Sequence, residues 1–282
     1  MNYLYDYHVH TTYSTDGNST MFEVCRSAVK SGLKEIAITD HFEPTIGNEN
    51  YPEFKACDYE LEIEALREVF KGKLEIKMGV ELGQPHLFFN TTQQLVDSMN
   101  YDYIIGSAHK LPDGTDFSEL NYSKSTMEEA CEVYIKQVNE LASKADFDCV
   151  GHIDLVKRYS TNHYKKRVTL MTQQELLKEV FNSLISKGKG IEINTSGLRQ
   201  CPKETMPGED VLKLYRELGG EILTIGSDSH HALDVSKGLE VAVENAQKAG
   251  FRYLTLFNKR KPEFIKISHN NDFFFISDRK IV

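Results

Sequence analysis

The 282 residues, 40% of them hydrophobic, are enough for a sizeable core, and 42 acidic against 33 basic side chains give a net charge of −9. No long stretch is uniformly basic, which argues against broad nucleic-acid or anionic-membrane binding. The five cysteines, Cys25, Cys57, Cys131, Cys149 and Cys201, are odd in number and lack CxxC spacing, so they read as reduced thiols rather than a disulfide framework or zinc finger; with no basic-then-apolar leader and no run of about 18 apolar residues, a cytoplasmic protein is expected.

Along the chain, β-rich apolar runs fall at 3–9, 34–39, 74–80, 101–107, 147–151, 190–194 and 221–226, with a last candidate at 252–257. Stretches of helical period lie between them at 20–31, 58–71, 125–144, 173–187, 208–218 and 235–249. Thr20 with Glu23, Ser125 with Glu128 and Thr172 with Glu175 each fit a capping box at a helix start. Gly32, Gly188, Gly219 and Gly250 stand where helices should stop. No linker, repeat or low-complexity break interrupts residues 1–282, so one α/β domain is expected: a parallel sheet wrapped by helices and closed as a barrel.

The metal-capable side chains fall at the ends of these strands. In "YDYHVHTTYSTDG" (5–17), His8 and His10 are two residues apart and share a strand face, and a polar loop carrying Asp16 follows. "TDH" puts Asp40 and His41 after the second strand, "GVE" puts Glu81 after the third and "GSAH" puts His109 after the fourth. "GHID" puts His152 in the fifth, and "GSDSH" puts Asp228 and His230 after the seventh. In a parallel α/β barrel all these ends lie on the face where active sites occur, so six of the ten histidines converge on one rim. Imidazoles and carboxylates without thiolates suit zinc, manganese or iron. Nine candidate ligands exceed the needs of one ion; two or three divalent ions are expected, with Glu81 available as a bridge. Asp40, alternating away from His41, is expected to orient an imidazole rather than bind metal. His86, His163, His231 and His269 are expected to meet solvent or ordinary hydrogen bonds, and "NKRK" (258–261) to be a solvated turn.

"HVH" (8–10), "STDG" (14–17), "TDH" (39–41), "GVE" (79–81), "SAH" (107–109), "GHID" (151–154) and "SDSH" (227–230), taken in order, resemble the polymerase-and-histidinol-phosphatase (PHP) superfamily over residues 6 to 231. "EINTSGLR" (192–199), with "LVKRY" after "GHID", resembles its histidinol-phosphatase branch. The resemblance implies a distorted TIM-like (β/α)7 barrel with a trinuclear metal cluster. By motif, His8, His10, Glu81 and Asp228 would hold one ion, Glu81, His109 and His152 a second, and Asp16, His41 and His230 a third. Related members carry a histidine where this chain has Asp16. The implied reaction is hydrolysis of L-histidinol phosphate in histidine biosynthesis.

Clustered cations suit phosphate monoester hydrolysis, because they make hydroxide from water at neutral pH and screen the attacked phosphoryl group. Attack by a metal-bridging hydroxide is expected, with Glu81 and Asp228 supplying ligand charge. A guanidinium should hold the non-bridging oxygens: Arg199 first, because it follows the sixth strand by a short turn, and Arg158 second. Asn194 and Ser196 either shape the phosphate pocket or make that turn. A nuclease or nucleotide phosphoesterase of the same superfamily should show a basic groove interleaved with aromatics, which this sequence lacks. A non-catalytic metal-binding module needs fewer residues than are present. The expected partner is therefore a small phosphate ester, with neither nucleic acid nor membrane.

Overall fold

Strands β1 (Tyr5–Asp6), β2 (Glu35–Ile38), β4 (Glu75–Gly83), β5 (Tyr103–Ser107), β6 (Cys149–Val150), β7 (Gly190–Asn194) and β8 (Leu223–Gly226) pair in that order, each parallel to the next. Strand β3 (His41–Phe42) lies beyond a break at Thr39 and Asp40 and also pairs with β4, setting His41 opposite Glu81. The barrel closes where the residues after β1 meet β8 and the residues that follow it: Tyr7 N donates to Ile225 O (3.0 Å), Asp228 N to His8 O (2.7 Å) and His10 N to Ser229 O (2.9 Å). Closure thus sets His8 and His10 beside Asp228. The computed structural model describes residues 5–123, 127–165 and 168–267. β2, β5, β7 and β8 are buried along their whole lengths, as a parallel sheet covered by helices requires.

Helices α1 (Met21–Lys30), α2 (Ala56–Val69), α4 (Met127–Lys144), α6 (Gln174–Ser186), α8 (Glu209–Glu217) and α9 (Leu239–Lys248) follow the periodic stretches of the sequence. Three more, α3 (Phe89–Ser98), α5 (Val156–Tyr164) and α7 (Ser196–Arg199), are short and lie outside the stretches expected to be helical. The buried residues of α5 are Val156, Lys157, Ser160 and Thr161, a mostly polar set that hydropathy cannot find. Thr20 and Glu23 form the expected capping box on α1, with Thr20 N to Glu23 Oε2 at 2.9 Å and Glu23 N to Thr20 Oγ1 at 3.3 Å. Thr20→Ala should therefore lower stability by about 1 kcal/mol in denaturant unfolding and leave catalysis unchanged, since the cap lies outside the cavity. Thr172 does not cap α6. It sits inside a 3₁₀ turn, Leu170–Gln173, that Thr169 caps instead, because the hydroxyl of Thr169 reaches Met171 N at 3.2 Å. Ser125, and residues 3–4 of the first predicted strand, lie outside the described residues. Gly32, Gly188, Gly219 and Gly250 all take left-handed backbone at helix ends.

The run at 252–257 is not a further barrel strand. β9 (Tyr253–Asn258) and β10 (Lys261–Lys266) form an antiparallel hairpin across the N-terminal end of the barrel. Phe257 is buried there, its ring 5.0 Å from that of Tyr103, which in turn lies 5.1 Å from Tyr7. The "NKRK" segment is the hairpin turn, but Arg260 is not simply solvated. It donates to both carboxylate oxygens of Asp146 (2.7 Å each) and to Asp148 (3.1 Å), pinning the hairpin to the barrel floor. Hairpin and the rim that carries the clustered histidines therefore occupy opposite ends. No helix among the described residues is long and apolar enough to cross a membrane.

Candidate metal centre

Glu81 is the hub of the C-terminal rim. Its Oε2 lies 2.9 Å from His41 Nδ1, 3.3 Å from His8 Nε2 and 3.5 Å from His10 Nε2; its Oε1 lies 3.0 Å from His152 Nε2 and 3.4 Å from His109 Nε2. Asp228 Oδ1 stands 3.4 Å from His10 Nε2 and 3.5 Å from His230 Nδ1. Asp16, the most exposed of the nine, reaches His230 Nε2 at 3.1 Å and His41 Nε2 at 3.8 Å. All nine residues expected as ligands thus meet around Glu81. His10 faces two ways, and its ligand atom groups both with His8 and Glu81 and with His41 and His230.

The hydrogen-bond partners on the far side of the imidazoles show what the near side is for. His8 Nδ1 lies 3.0 and 2.9 Å from the two oxygens of Glu192, so a neutral ring carries its proton there and turns a lone pair at Nε2 inward. His10 Nδ1 lies 3.1 Å from Ser14 Oγ, whose own proton goes to Asp40 Oδ1 (2.7 Å), so His10 also presents a lone pair at Nε2. These two nitrogens face each other at 3.0 Å. His109 Nδ1 lies 2.9 Å from Glu43 Oε2, and its inward Nε2 faces His152 Nε2 at 3.3 Å. Lone pairs aimed at one another and at a carboxylate repel unless a proton or a metal cation lies between them. Glu81 Oε2 and His41 Nδ1, both buried, lie 2.9 Å apart without the alignment of a hydrogen bond, and neither has another hydrogen-bond partner. The donor set is borderline-soft nitrogen and hard oxygen without sulfur, and so fits zinc, manganese or iron.

Charge in this cluster is tightly coupled. Burial disfavours the charged forms throughout. At His8 the carboxylates of Glu192, Glu81 and Asp228 outweigh burial and raise its pKa well above the usual imidazole value. At His10 burial wins, helped by His230 and His41, and the pKa falls well below. Glu81 is held far under the ordinary carboxylate range, because His8, His41 and His109 overcome the burial that would raise it. His230 is pushed up to about 9, burial opposing and the Asp16 carboxylate prevailing.

Two of the residues expected as ligands adopt left-handed backbone, His152 (φ 23°) and Asp228 (φ 51°), and neighbours hold both there. His152 N donates to Glu192 Oε1 at 2.7 Å, while Asp228 N donates to His8 O at 2.7 Å and Asp228 O accepts from Arg199 Nη2 at 3.3 Å. Gly226 permits this closeness, since a Cβ on it would lie 2.3 Å from His8 Cβ.

A cavity of about 250 Å³ opens over the cluster, walled by Tyr51, Lys110, Asp116, Arg158 and Tyr159. Arg158, on α5, lines the cavity and donates from Nη2 to Ser196 Oγ (2.8 Å) and Asp228 Oδ2 (3.0 Å). Arg199 turns its Nη2 to the carbonyls of Ser227 (2.7 Å) and Asp228 (3.3 Å), behind the metal-facing carboxylate, with Nη1 buried and unpartnered. Asn194 and Ser196 are buried and make the turn. Ser196 Oγ reaches Asn194 Oδ1 at 2.5 Å and Asp228 Oδ2 at 3.0 Å, so it steadies the Asp228 carboxylate.

Asp40 orients His10 through Ser14 rather than the adjacent His41 ring: Ser14 Oγ accepts from the His41 backbone N at 3.0 Å and links the two. Glu192 and Glu43 escaped the sequence reading. A carboxylate inside a strand, or just after one, is ordinary in sequence, and only its burial against an imidazole marks it. Among the remaining histidines, His86 pairs with Gln137 at 3.2 Å, His231 accepts from Leu233 N at 3.1 Å, and His163 is exposed. His269 lies outside the described residues.

A PHP domain family model matches residues 6–196. The histidinol-phosphatase of Lactococcus lactis is 32% identical over 266 residues, covering 91% of this chain and 95% of that protein. The Bacillus subtilis histidinol-phosphatase is 26% identical over 85% of this chain and 98% of its own length. The crystal structure of the Lactococcus lactis histidinol phosphate phosphatase, complexed with zinc, L-histidinol and phosphate, superposes with a TM-score of 0.78 at 31% identity, over 92% of this chain and 98% of that one. On its strand order, its rim of ligands and this match, the chain belongs to the PHP domain family.

Proposed function

We propose that this chain hydrolyses L-histidinol phosphate to L-histidinol and phosphate, in histidine biosynthesis in the cytoplasm, with two to three divalent ions drawn from zinc, manganese and iron. The observation that carries the reading is the convergence of six imidazoles and three carboxylates beneath a cavity lined by an arginine, in a chain 31% identical to a phosphatase that holds zinc, L-histidinol and phosphate. His8, His10, Glu81 and Asp228 would hold one ion, Glu81, His109 and His152 a second, and Asp16, His41 and His230 a third. Bound there, the ions supply hydroxide at neutral pH and positive charge for the phosphoryl oxygens. The chain's own residues do the rest. Arg158 aims a guanidinium at the phosphate, and its Nε is buried without a partner. Arg199 keeps Asp228 in its left-handed turn and has Nη1 to spare for phosphate. Asp116 is the carboxylate available to the ammonium group of the substrate, and Tyr51 and Tyr159 offer ring faces to its imidazole.

Phosphate release from L-histidinol phosphate, a 3′-phosphorylated dinucleotide and a generic aryl phosphate, with elemental analysis of the same sample, tests this reading. Histidinol phosphate should be turned over fastest and two to three ions per chain should be found. A chelator should abolish activity, and added zinc, manganese or iron should restore it. Activity that survives chelation, or a preference for the dinucleotide, would overturn the proposal.

A further inference from the structure

Glu192 lies in the middle of β7, 1% exposed, with no access to the cavity. A carboxylate so deep is costly unless every oxygen is occupied. Here Oε1 accepts from His152 N (2.7 Å) and Asn194 Nδ2 (3.0 Å), and both oxygens face His8 Nδ1 (3.0 and 2.9 Å). Gly226 packs closely against it: a Cβ there would come within 3.1 Å of Oε2. The two contacts that matter run to different ligands. On β1's side Glu192 fixes which nitrogen of His8 carries the proton and how its ring is turned. On β6's side it satisfies the backbone N–H of His152, a non-glycine residue at φ 23°, and so holds that ring over Glu81 Oε1.

We propose that Glu192 is a positioning residue shared by two of the metal sets, one through His8 and the other through His152, so that they strengthen or weaken together while the set of Asp16, His41 and His230 does not follow. The proposal rests on the reading that this rim binds divalent ions. Second-sphere carboxylates on metal-bound histidines change metal affinity by about ten- to a hundredfold. Here one carboxylate serves two ligands, and its loss should reach two ions.

The test is zinc binding by competition with a chromophoric chelator, without substrate, in the full chain and in Glu192→Gln and Glu192→Asp. Glu192→Gln should weaken two of the bound ions about ten- to a hundredfold and leave the third at its original affinity; Glu192→Asp, which keeps the charge on a shorter arm, should recover part of the loss. Isotherms that superpose on the unaltered chain, or an equal loss at all three ions, overturn the proposal. Far-UV circular dichroism of the metal-free variants checks that they fold. A second measurement does not depend on any variant: in the zinc-loaded, ¹⁵N-histidine-labelled chain, His8 should show an exchange-protected proton at Nδ1 and zinc at Nε2, and zinc at Nδ1 would refute the idea. Failure of the substrate reading would look different, as a chain that loads zinc normally yet releases no phosphate from histidinol phosphate.

Discussion

Glu81→Gln should lower the turnover of histidinol phosphate by at least about a hundredfold in metal-replete protein, and Asp228→Asn should do the same. Glu81 is fully buried and stands within 3.5 Å of a nitrogen on five of the six rim histidines, so its charge is common to more of the cluster than that of any neighbour. The amide keeps the shape but removes the charge and turns two hydrogens toward lone pairs that face inward. Electrostatic stabilisation of this kind is commonly the largest single contribution to catalysis, and each missing ligand charge also weakens the hold on the ions. Asp228 adds a second demand. Its Oδ1 faces His10 while its Oδ2 accepts from Arg158 and Ser196, so asparagine would disturb both the cluster and the guanidinium above it. Neither substitution should unfold the chain, because the apolar core lies around the barrel and under the helices rather than at the rim. Steady-state phosphate release, with metal content and thermal unfolding on the same samples, checks this. Rates near those of the unaltered chain in fully loaded samples would remove the assignment of the rim as the reaction centre.

The rim could be read in advance because it is written in short-range rules. His8 and His10 share a face by strand alternation, and barrel topology collects the ends of consecutive strands on one side. Neither inference needs side-chain packing. What escaped needed it. Glu192 and Glu43 act by touching residues 184 and 66 positions away, and no local pattern reports such contacts. Asp40 was expected to orient an imidazole, but its target is set by where Ser14 folds back, so the histidine it serves is His10. Arg199 is expected ahead of Arg158 for a related reason. Arg199 follows a strand that could be recognised, whereas Arg158 rides on α5, whose buried face includes Lys157, Ser160 and Thr161 and which is too polar overall to stand out as a buried helix. Lys157 in turn is buried by pairing with Asp154 at 2.7 Å, an arrangement that hydropathy counts against burial.

Arg158→Ala should leave the metals bound and the fold intact while costing roughly 2–4 kcal/mol of transition-state stabilisation, about thirty- to a thousandfold in kcat/KM. Its guanidinium lines the cavity, donates from Nη2 to Ser196 and Asp228 and keeps Nε buried with no partner in the protein. A donor left so at a cavity wall is set for a ligand oxygen, and a charge-assisted contact strengthens as negative charge gathers on the phosphoryl group. Turnover and apparent affinity should both fall, and inorganic phosphate should inhibit the variant less. Arg158→Lys should recover only part, since an ammonium cannot present the planar fork. Arg199→Ala should act differently: its Nη2 is committed to the carbonyls of Ser227 and Asp228, so the larger share of its loss should appear in turnover, through a loosened Asp228, with phosphate inhibition less changed than in Arg158→Ala. Kinetics with phosphate as inhibitor decide between the two arginines. If Arg199→Ala abolished phosphate inhibition while Arg158→Ala left it untouched, the clamp would be Arg199, and Arg158 would serve only to hold Asp228 and Ser196 in place.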